Sequence, residues 1–348
     1  MRKIILILSA AGALLCALFS PAVSAAALDA AKLCASVLAP SLFPFFVCAN
    51  LLLSLGGAEI LSKGAGRIMR PLFCVRDKGA LPLILGLISG YPCGAVVTCK
   101  MYDAGSLSKN EAERLMAFSN NAGPMFIISA VGNGLFGNSQ VGFLIYLSHV
   151  AGAFLCGITL SFFAKKEKTS VQKYKNRHTG ASDAVPNAVM SILNLSGYVI
   201  FFSVILAIMK SLGFIDFLCR ILCAFGTERK CAEMLSSGIF EITSGLFSSG
   251  CKNIPCAAAL ISIGGASVFL QTMSFAAKSG LSLKYYIAGK LFSGGAAAAT
   301  ARLLLRVFPV SVKTFAPAAV FETSPYMYFA AALLLSFPLI FLFFPDRR

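Results

Sequence analysis

Long apolar runs separated by short basic loops set the pattern of this chain. Ile4 to Phe19 and Lys32 to Leu55 come first, followed by runs at about 79–99, 112–137 and 140–163. A second group covers Asn187 to Gly213 and then about 231–250, 254–277 and 283–308, and a last run covers about 324–345. A helix needs about 20 mainly apolar residues to cross the roughly 30 Å hydrocarbon core, because its backbone hydrogen bonds must close internally there. Run after run reaches that length, so the pattern predicts an all-α, polytopic integral membrane protein.

Loop charge then orients the runs, since Lys and Arg concentrate on the cytoplasmic side. Arg2 and Lys3 precede the first run, and the small residues Ala22, Ser24 and Ala26 after it resemble a signal-peptidase site. Residues 1–26 therefore read as an N-terminal transmembrane helix or a signal-like segment, cleaved or retained, and either way residue 27 lies outside. Lys63, Arg67, Arg70, Arg76 and Lys78 follow the next run, and Lys165, Lys166, Lys168, Lys173, Lys175 and Arg177 follow the fifth. Both clusters belong inside, yet three full crossings separate them. Parity is restored if one run enters and leaves by the same face, and 112–137 is the candidate because Asn120-Asn121-Ala122-Gly123-Pro124 interrupts it.

The second half repeats the order with opposite orientation: a span, a span with an internal Gly motif, a broken segment, a span. Leu85-Gly86-Leu87-Ile88-Ser89-Gly90 corresponds to Ser237-Gly238 through Ser244-Gly245, and Asn121 to Phe126 corresponds to Gly264-Gly265 through Phe269. The organisation expected is a first repeat at 27–163, a basic cytoplasmic linker at 164–186 and a second, inverted repeat at 187–308. A C-terminal helix and basic tail, 309–348, ends with Arg347 and Arg348 inside. Inverted-topology repeats with interrupted or re-entrant helices are a transporter-like architecture, with the substrate held near the midplane where the breaks meet.

The breaks carry the candidate chemistry. Unwound backbone in a bilayer must find protein, water or ligand, and half-helix N-termini suit a carboxylate or carbonyl. Ser89, Gly90, Tyr91 and Pro92 form one break; Asn120, Asn121, Gly123 and Pro124 form the facing one; Gly264 and Gly265 form its counterpart. Any one of these glycines alone fits close helix packing, whereas the paired, repeated breaks point to a substrate site. Glu241 is the one acidic residue deep in an apolar segment of the second half, where insertion scales assign a charge about 2.5–3.5 kcal/mol. It could carry a proton, or pair with Lys290 or Arg302 for structural reasons. Thr243, Ser244, Gln271 and Thr272 add hydrogen-bonding groups nearby. Tyr102, Asp103, Lys109, Glu111, Glu113 and Arg114 read as a solvated connector, in which Ser108 and Glu111 have capping-box spacing.

Composition agrees with the pattern. Of 348 residues, 57% are hydrophobic and 13% charged, at a mean hydropathy of +0.81, against about 25% charged in a soluble domain. The net charge of +16 sits in short loops rather than on one stripe, which excludes a nucleic-acid partner. Twelve cysteines lie scattered with no CxxC pair, and His149 and His178 are the only histidines, so no metal or other cofactor is expected. No HExxH, GxSxG or Asp dyad supports an enzyme. The partners expected are a small-molecule solute, the lipid bilayer, a proton or sodium ion for coupling, and a second copy of the chain if it oligomerises.

The run Gly86-Leu87-Ile88-Ser89-Gly90-Tyr91-Pro92-Cys93-Gly94-Ala95, then Asp103-Ala104-Gly105, Glu111-Ala112 and Phe118-Ser119-Asn120-Asn121-Ala122-Gly123-Pro124-Met125-Phe126-Ile127, resembles the YlbJ family of sporulation integral membrane proteins. That family falls within the wider nucleoside-recognition, or Gate-domain, membrane proteins. Pro40 to Phe46, Glu241 to Gly245 and Gly264-Gly265 also fit its pattern, and the resemblance extends over about residues 30–345. The loop around residues 225–235 and the connector at 250–255 are short for it. The resemblance implies a fold related to concentrative nucleoside carriers and a multi-pass protein of a bacterial cell membrane, the forespore membrane included. It implies a sporulation role in which dipicolinate is moved into the developing spore. A nucleoside or related ring compound is the alternative solute, and a non-transporting sensor or scaffold the alternative class.

Overall fold

The computed structural model describes residues 2–55, 63–164 and 181–308, and the described residues are helices and connectors without a strand. The run expected at 324–345 and the loop from Lys165 to Arg177 lie outside the described residues. Among the described residues, four helices are long and apolar enough to cross a membrane: Ser20–Leu38, Ser139–Ser161, Ala184–Ser211 and Ile254–Lys278. At 1.5 Å per residue, the 23-residue Ser139–Ser161 helix alone reaches about 35 Å.

The N-terminal part is α1 (Arg2–Leu18), α2 (Ser20–Leu33), a π turn at Cys34–Leu38 and α3 (Ala39–Ser54). Ala22, Ser24 and Ala26 thus lie within α2, and the second apolar run begins a full helix earlier than Lys32. After α4 (Gly66–Phe73) come α5 (Ala80–Ser89) and α6 (Cys93–Asp103), then α7 (Lys109–Ser119), the π-wound α8 (Met125–Leu135) and α9 (Ser139–Ser161). The second half comprises α10 (Ala184–Ser211), α11 (Phe214–Ala224), α12 (Arg229–Gly238), α13 (Ile242–Ser248), α14 (Ile254–Ile263), α15 (Ala266–Lys278) and α16 (Lys284–Val307).

The segment that doubles back is α5–α6, not 112–137. A Cβ on Gly86 would lie 3.1 Å from Gly94 Cα, and Cβ atoms on both would collide with the Ser119 carbonyl. Eight residues of unbroken helix would hold those glycines about 12 Å apart, so the chain reverses between them. Gly79 abuts Leu115 while Cys99 Sγ lies 4.0 Å from Met116 Sδ, so α5 runs parallel to α7 and α6 antiparallel to it. By contrast α7 and α8 lie in sequence along α9: Gly157 meets Phe118, and Gly132 meets Gly142. The Asn120–Pro124 break bends one rod without reversing it, because Ile127 N–H reaches Gly123 O at 3.1 Å and restarts the winding at once.

The same two shapes recur in the second half. In α12–α13 a Cβ on Gly245 would lie 2.3 Å from Gly238 Cα, and Cys231 Sγ stands 3.2 Å from Cys251 Sγ at the open end. This hairpin replaces the full span expected at 231–250. In α14–α15, Ile263 packs at Gly294 and Thr272 Oγ1 lies 3.4 Å from Tyr286 Oη, so α16 follows both halves of a bent rod. The long helices α9 and α16 are antiparallel partners, with Gly152 against Ser293 and Ala297 and Gly289 against Cys156 and Leu160. Close backbone approach at small residues is how membrane helices gain dispersion contact, since lipid offers no hydrophobic drive between them. The registers along α9 and α16 put the mouths of the two hairpins at opposite ends of the bundle.

The connector before α7 is not solvated as a whole. Arg114 is 1% exposed, and it donates to Phe73 O and Cys74 O, both at 2.8 Å, and to Asn110 Oδ1 at 3.0 Å. It clamps the left-handed turn at Cys74 (φ 48°) that ends α4. Glu113 is also buried and accepts from Ser282 N–H at 2.8 Å, tying α7 to the loop before α16. The expected capping box is present: Ser108 Oγ accepts from Glu111 N–H, and Glu111 accepts from Ser108 N–H.

Candidate functional site

Each hairpin tip is seated on the break of its own half. Gly90 adopts φ +83°, and a Cβ there would lie 2.7 Å from Gly123 N. At the other tip, Ala266 N–H donates to Ile239 O at 2.7 Å and Ser267 N–H to Phe240 O at 3.1 Å. Gly265 has no room for a side chain beside Gly238 O. The tips and breaks line a cavity of about 60 Å³. Gly90, Tyr91 and Gly123 line one side, and Glu241, Thr243 and Gln271 the other. Leu38, Leu42, Leu195 and Val199 close it with apolar surface.

These six expected site residues therefore meet at one place. Ser89, Pro92, Asn120, Asn121 and Pro124 are buried behind the lining. Ser244 sits on α13 with its Oγ 3.3 Å from Ser203 Oγ, and Gly264 is the turn that lets α14 stop, at φ +74°.

Glu241 is the N-cap of α13. Its Oε1 accepts from Thr243 N–H at 3.1 Å, and its Oε2 accepts from Ser244 N–H at 2.6 Å and from the Thr243 hydroxyl. A carboxylate on free helix N–H groups satisfies both the donors and the macrodipole. No ion pair to Lys290 or Arg302 forms; its partners are its own helix end. The N-termini of α13 and α15 are thus already occupied, by Glu241 and by the carbonyls of Ile239 and Phe240, and are not the free anion receptors the sequence suggests.

Behind the Asn120–Pro124 break lies a polar core in which Lys290, His149 and Tyr286, outside the expected site, join the expected Tyr91, Asn120 and Asn121. Lys290 of α16 is 3% exposed, and its ammonium donates to Asn120 O and reaches Asn121 Oδ1 at 3.5 Å. It stands 5.7 Å from the centroids of both the Tyr91 and Tyr286 rings, within cation–π range. Asn120 Nδ2 donates to Thr272 Oγ1 at 2.9 Å and Tyr286 Oη at 3.1 Å. His149 Nε2 accepts from Ala122 N–H at 3.1 Å, which leaves the proton of a neutral ring on Nδ1, 2.7 Å from Ser262 Oγ. Tyr91 donates its hydroxyl to Ile261 O. First-half groups are thereby tied to α14, α15 and α16. An ionisable side chain in a buried helix is a signal for Lys290 and His149 in the sequence itself, and weighing Lys290 only as a partner for Glu241 hides it.

Two buried oxygens here have no partner, Asn120 Oδ1 and Gln271 Oε1. Each such atom costs about 1–3 kcal/mol unless something completes it.

Residues 35–140 match the Gate family, described as nucleoside recognition, and that stretch contains the α5–α6 hairpin and the α7–α8 rod. The chain is also 29% identical over 301 residues to the sporulation integral membrane protein YlbJ of Bacillus subtilis (strain 168), covering 77% of this chain and 74% of that one. No solved structure matches it. The resemblance in the GYPCGA and NNAGPMF runs thus holds: this is an all-α membrane protein in which residues 35–140 match the Gate family and most of the length is similar to the sporulation integral membrane protein YlbJ.

Proposed function

We propose that the chain is a multi-pass carrier made of two inverted repeats, and that it moves a small organic anion, dipicolinate first, during spore formation. The observation that carries the reading is the meeting of two hairpin tips, from opposite ends of the bundle, over one cavity, with an ammonium nearby that has no carboxylate partner among the described residues. Each tip is held by a few contacts to a bent rod, as an alternating gate requires. The cavity of about 60 Å³ is far below the roughly 300 Å³ at which ligand pockets begin, so a tip must lift to make room for solute.

Charge favours an anion. Glu241 is compensated by three hydrogen bonds on its own helix end, whereas Lys290 has no carboxylate partner among the described residues. Burying an uncompensated charge is costly, and an anionic solute near Tyr91 would relieve it. A planar pyridine dicarboxylate could also stack on that ring. The sporulation name of the Bacillus relative is in keeping with a role in spore formation.

A nucleoside or related ring compound is the second reading. It is favoured by the acceptors facing the cavity, Glu241 and the unpartnered Gln271 Oε1, and by the description of the Gate family. The test is flux of labelled dipicolinate into liposomes holding the purified chain alone, with and without a proton gradient. Uptake competed by pyridine dicarboxylates supports the first reading. Competition by nucleosides alone selects the second, and no flux of either leaves a sensor or scaffold.

A further inference from the structure

Lys290 sits where a hard metal cation would. Where a membrane helix unwinds, its freed carbonyl oxygens are the groups that coordinate a coupling ion, and such ions take oxygen ligands from main-chain and amide carbonyls. The Asn120–Pro124 break supplies that set: the Asn120 carbonyl and Asn121 Oδ1 both face the ammonium. Asn121 is held in this pose because its Nδ2 donates to Phe118 O at 2.7 Å, leaving its oxygen free to accept. The Tyr91 and Tyr286 rings, 5.7 Å away on both counts, complete a shell that favours a cation.

The other titratable groups around the site add no negative charge. His149 from α9 accepts from Ala122 N–H and meets Ser262, and the other titratable groups nearest the ammonium, Cys156 of α9 and the two tyrosines, are not carboxylates. Glu241 stands on the other hairpin tip with its oxygens committed to α13. A positive charge that ties α16 to the break is therefore built into the chain.

We propose that the Lys290 ammonium is a resident cation at the Asn120–Asn121 oxygens, taking the place of a mobile sodium ion. It rests on the carrier reading and deepens it: binding and flux would proceed without sodium, and the break would stay closed by a covalently supplied charge. Shortening the side chain and removing its charge should return the oxygens to a free ion.

The test compares the thermal unfolding midpoint of the purified full chain in nanodiscs in NaCl and in choline chloride of equal ionic strength. Wild type should unfold at the same temperature in both. Lys290→Gln and Lys290→Ser should unfold lower in choline and recover part of the loss in NaCl, with sodium-22 retained on the variants and not on wild type. A sodium-specific rise or sodium-22 retention in wild type overturns the proposal. So does the lack of any sodium response in both variants, a failure of both to fold in NaCl included. This readout needs no solute: a chain that moves nothing but shows the expected sodium pattern would remove the carrier reading and leave the resident cation standing.

Discussion

Gly90 and Gly123 meet backbone to backbone, with the space of a missing Cβ on Gly90 only 2.7 Å from the Gly123 nitrogen. The contact seats the tip of the first hairpin on the bent rod beneath it. Gly90→Ala must both adopt φ +83° and displace main chain. A strained left-handed residue costs on the order of 1–3 kcal/mol before any clash. The variant should unfold several degrees lower in detergent and lose flux, whereas Gly137→Ala, with the same backbone sign but open space, should keep flux near wild type. Equal behaviour of the two variants would show that the tip contact does not matter.

Glu241 joins capping to a place in the cavity wall, and the two roles can be separated. Aspartate is a strong N-cap, so Glu241→Asp should hold the α13 end while withdrawing the carboxylate from the cavity. Glu241→Ala should lose about 0.5–2 kcal/mol through the uncapped N–H groups. The expected result is near-normal stability with impaired flux for Asp, and impairment of both for Ala. Wild-type flux in Glu241→Asp would confine the residue to capping.

Cys231 and Cys251 bracket the α12–α13 hairpin with their sulfurs 3.2 Å apart. Mild oxidation of membranes with copper phenanthroline should join them into one disulfide, seen as a linked peptide by mass spectrometry after alkylation. Cys231→Ser or Cys251→Ser should abolish it. If the segment were a straight span, 20 residues would place these thiols about 30 Å apart and no link would form.

Arg114 holds two main-chain carbonyls with one planar fork. Lysine lacks that geometry, so Arg114→Lys should be nearly as damaging as Arg114→Met. Hydrogen bonds to a charged group contribute about 1.5–3 kcal/mol each, so a loss of several kcal/mol is expected in either variant, read as a lowered unfolding midpoint and reduced membrane abundance.

Labelling of single cysteines placed near Lys78 and near Lys168 should find both positions on one face of the membrane. The hairpin mouth beside Lys78 opens at the end of the bundle where α9 finishes, and the segment carrying Lys168 follows α9 directly. Opposite faces would break the proposed inverted arrangement.

Hydrophobic run length and the positions of Gly, Asn and Pro were enough to read the helical class, the breaks at 90–92, 120–124 and 264–265, and six of the fifteen residues that line the cavity. These are local properties: an apolar run must wind to satisfy its backbone in lipid, and it must unwind where Pro removes a donor or Gly loosens the chain. Glu241 was visible for a related reason, as a lone acid in an apolar run. Whether a break reverses the chain or only bends it was decided elsewhere. Both Leu85–Gly90 and Asn120–Pro124 interrupt a run, and only the pressing of Gly86 and Gly94 onto Ser119, 25 or more residues away, makes the first a hairpin.

The partners of the buried charges belong to the tertiary structure for the same reason. The sequence offers Lys290 or Arg302 as an ion-pair partner for Glu241, yet Glu241 turns to its own helix end and Lys290 to oxygens 170 and 169 residues away. Propensity and periodicity report what one segment prefers in a given solvent. Which unwound carbonyl meets which ammonium depends on how two halves of the chain pack, and that information is carried by contacts no single stretch of sequence contains.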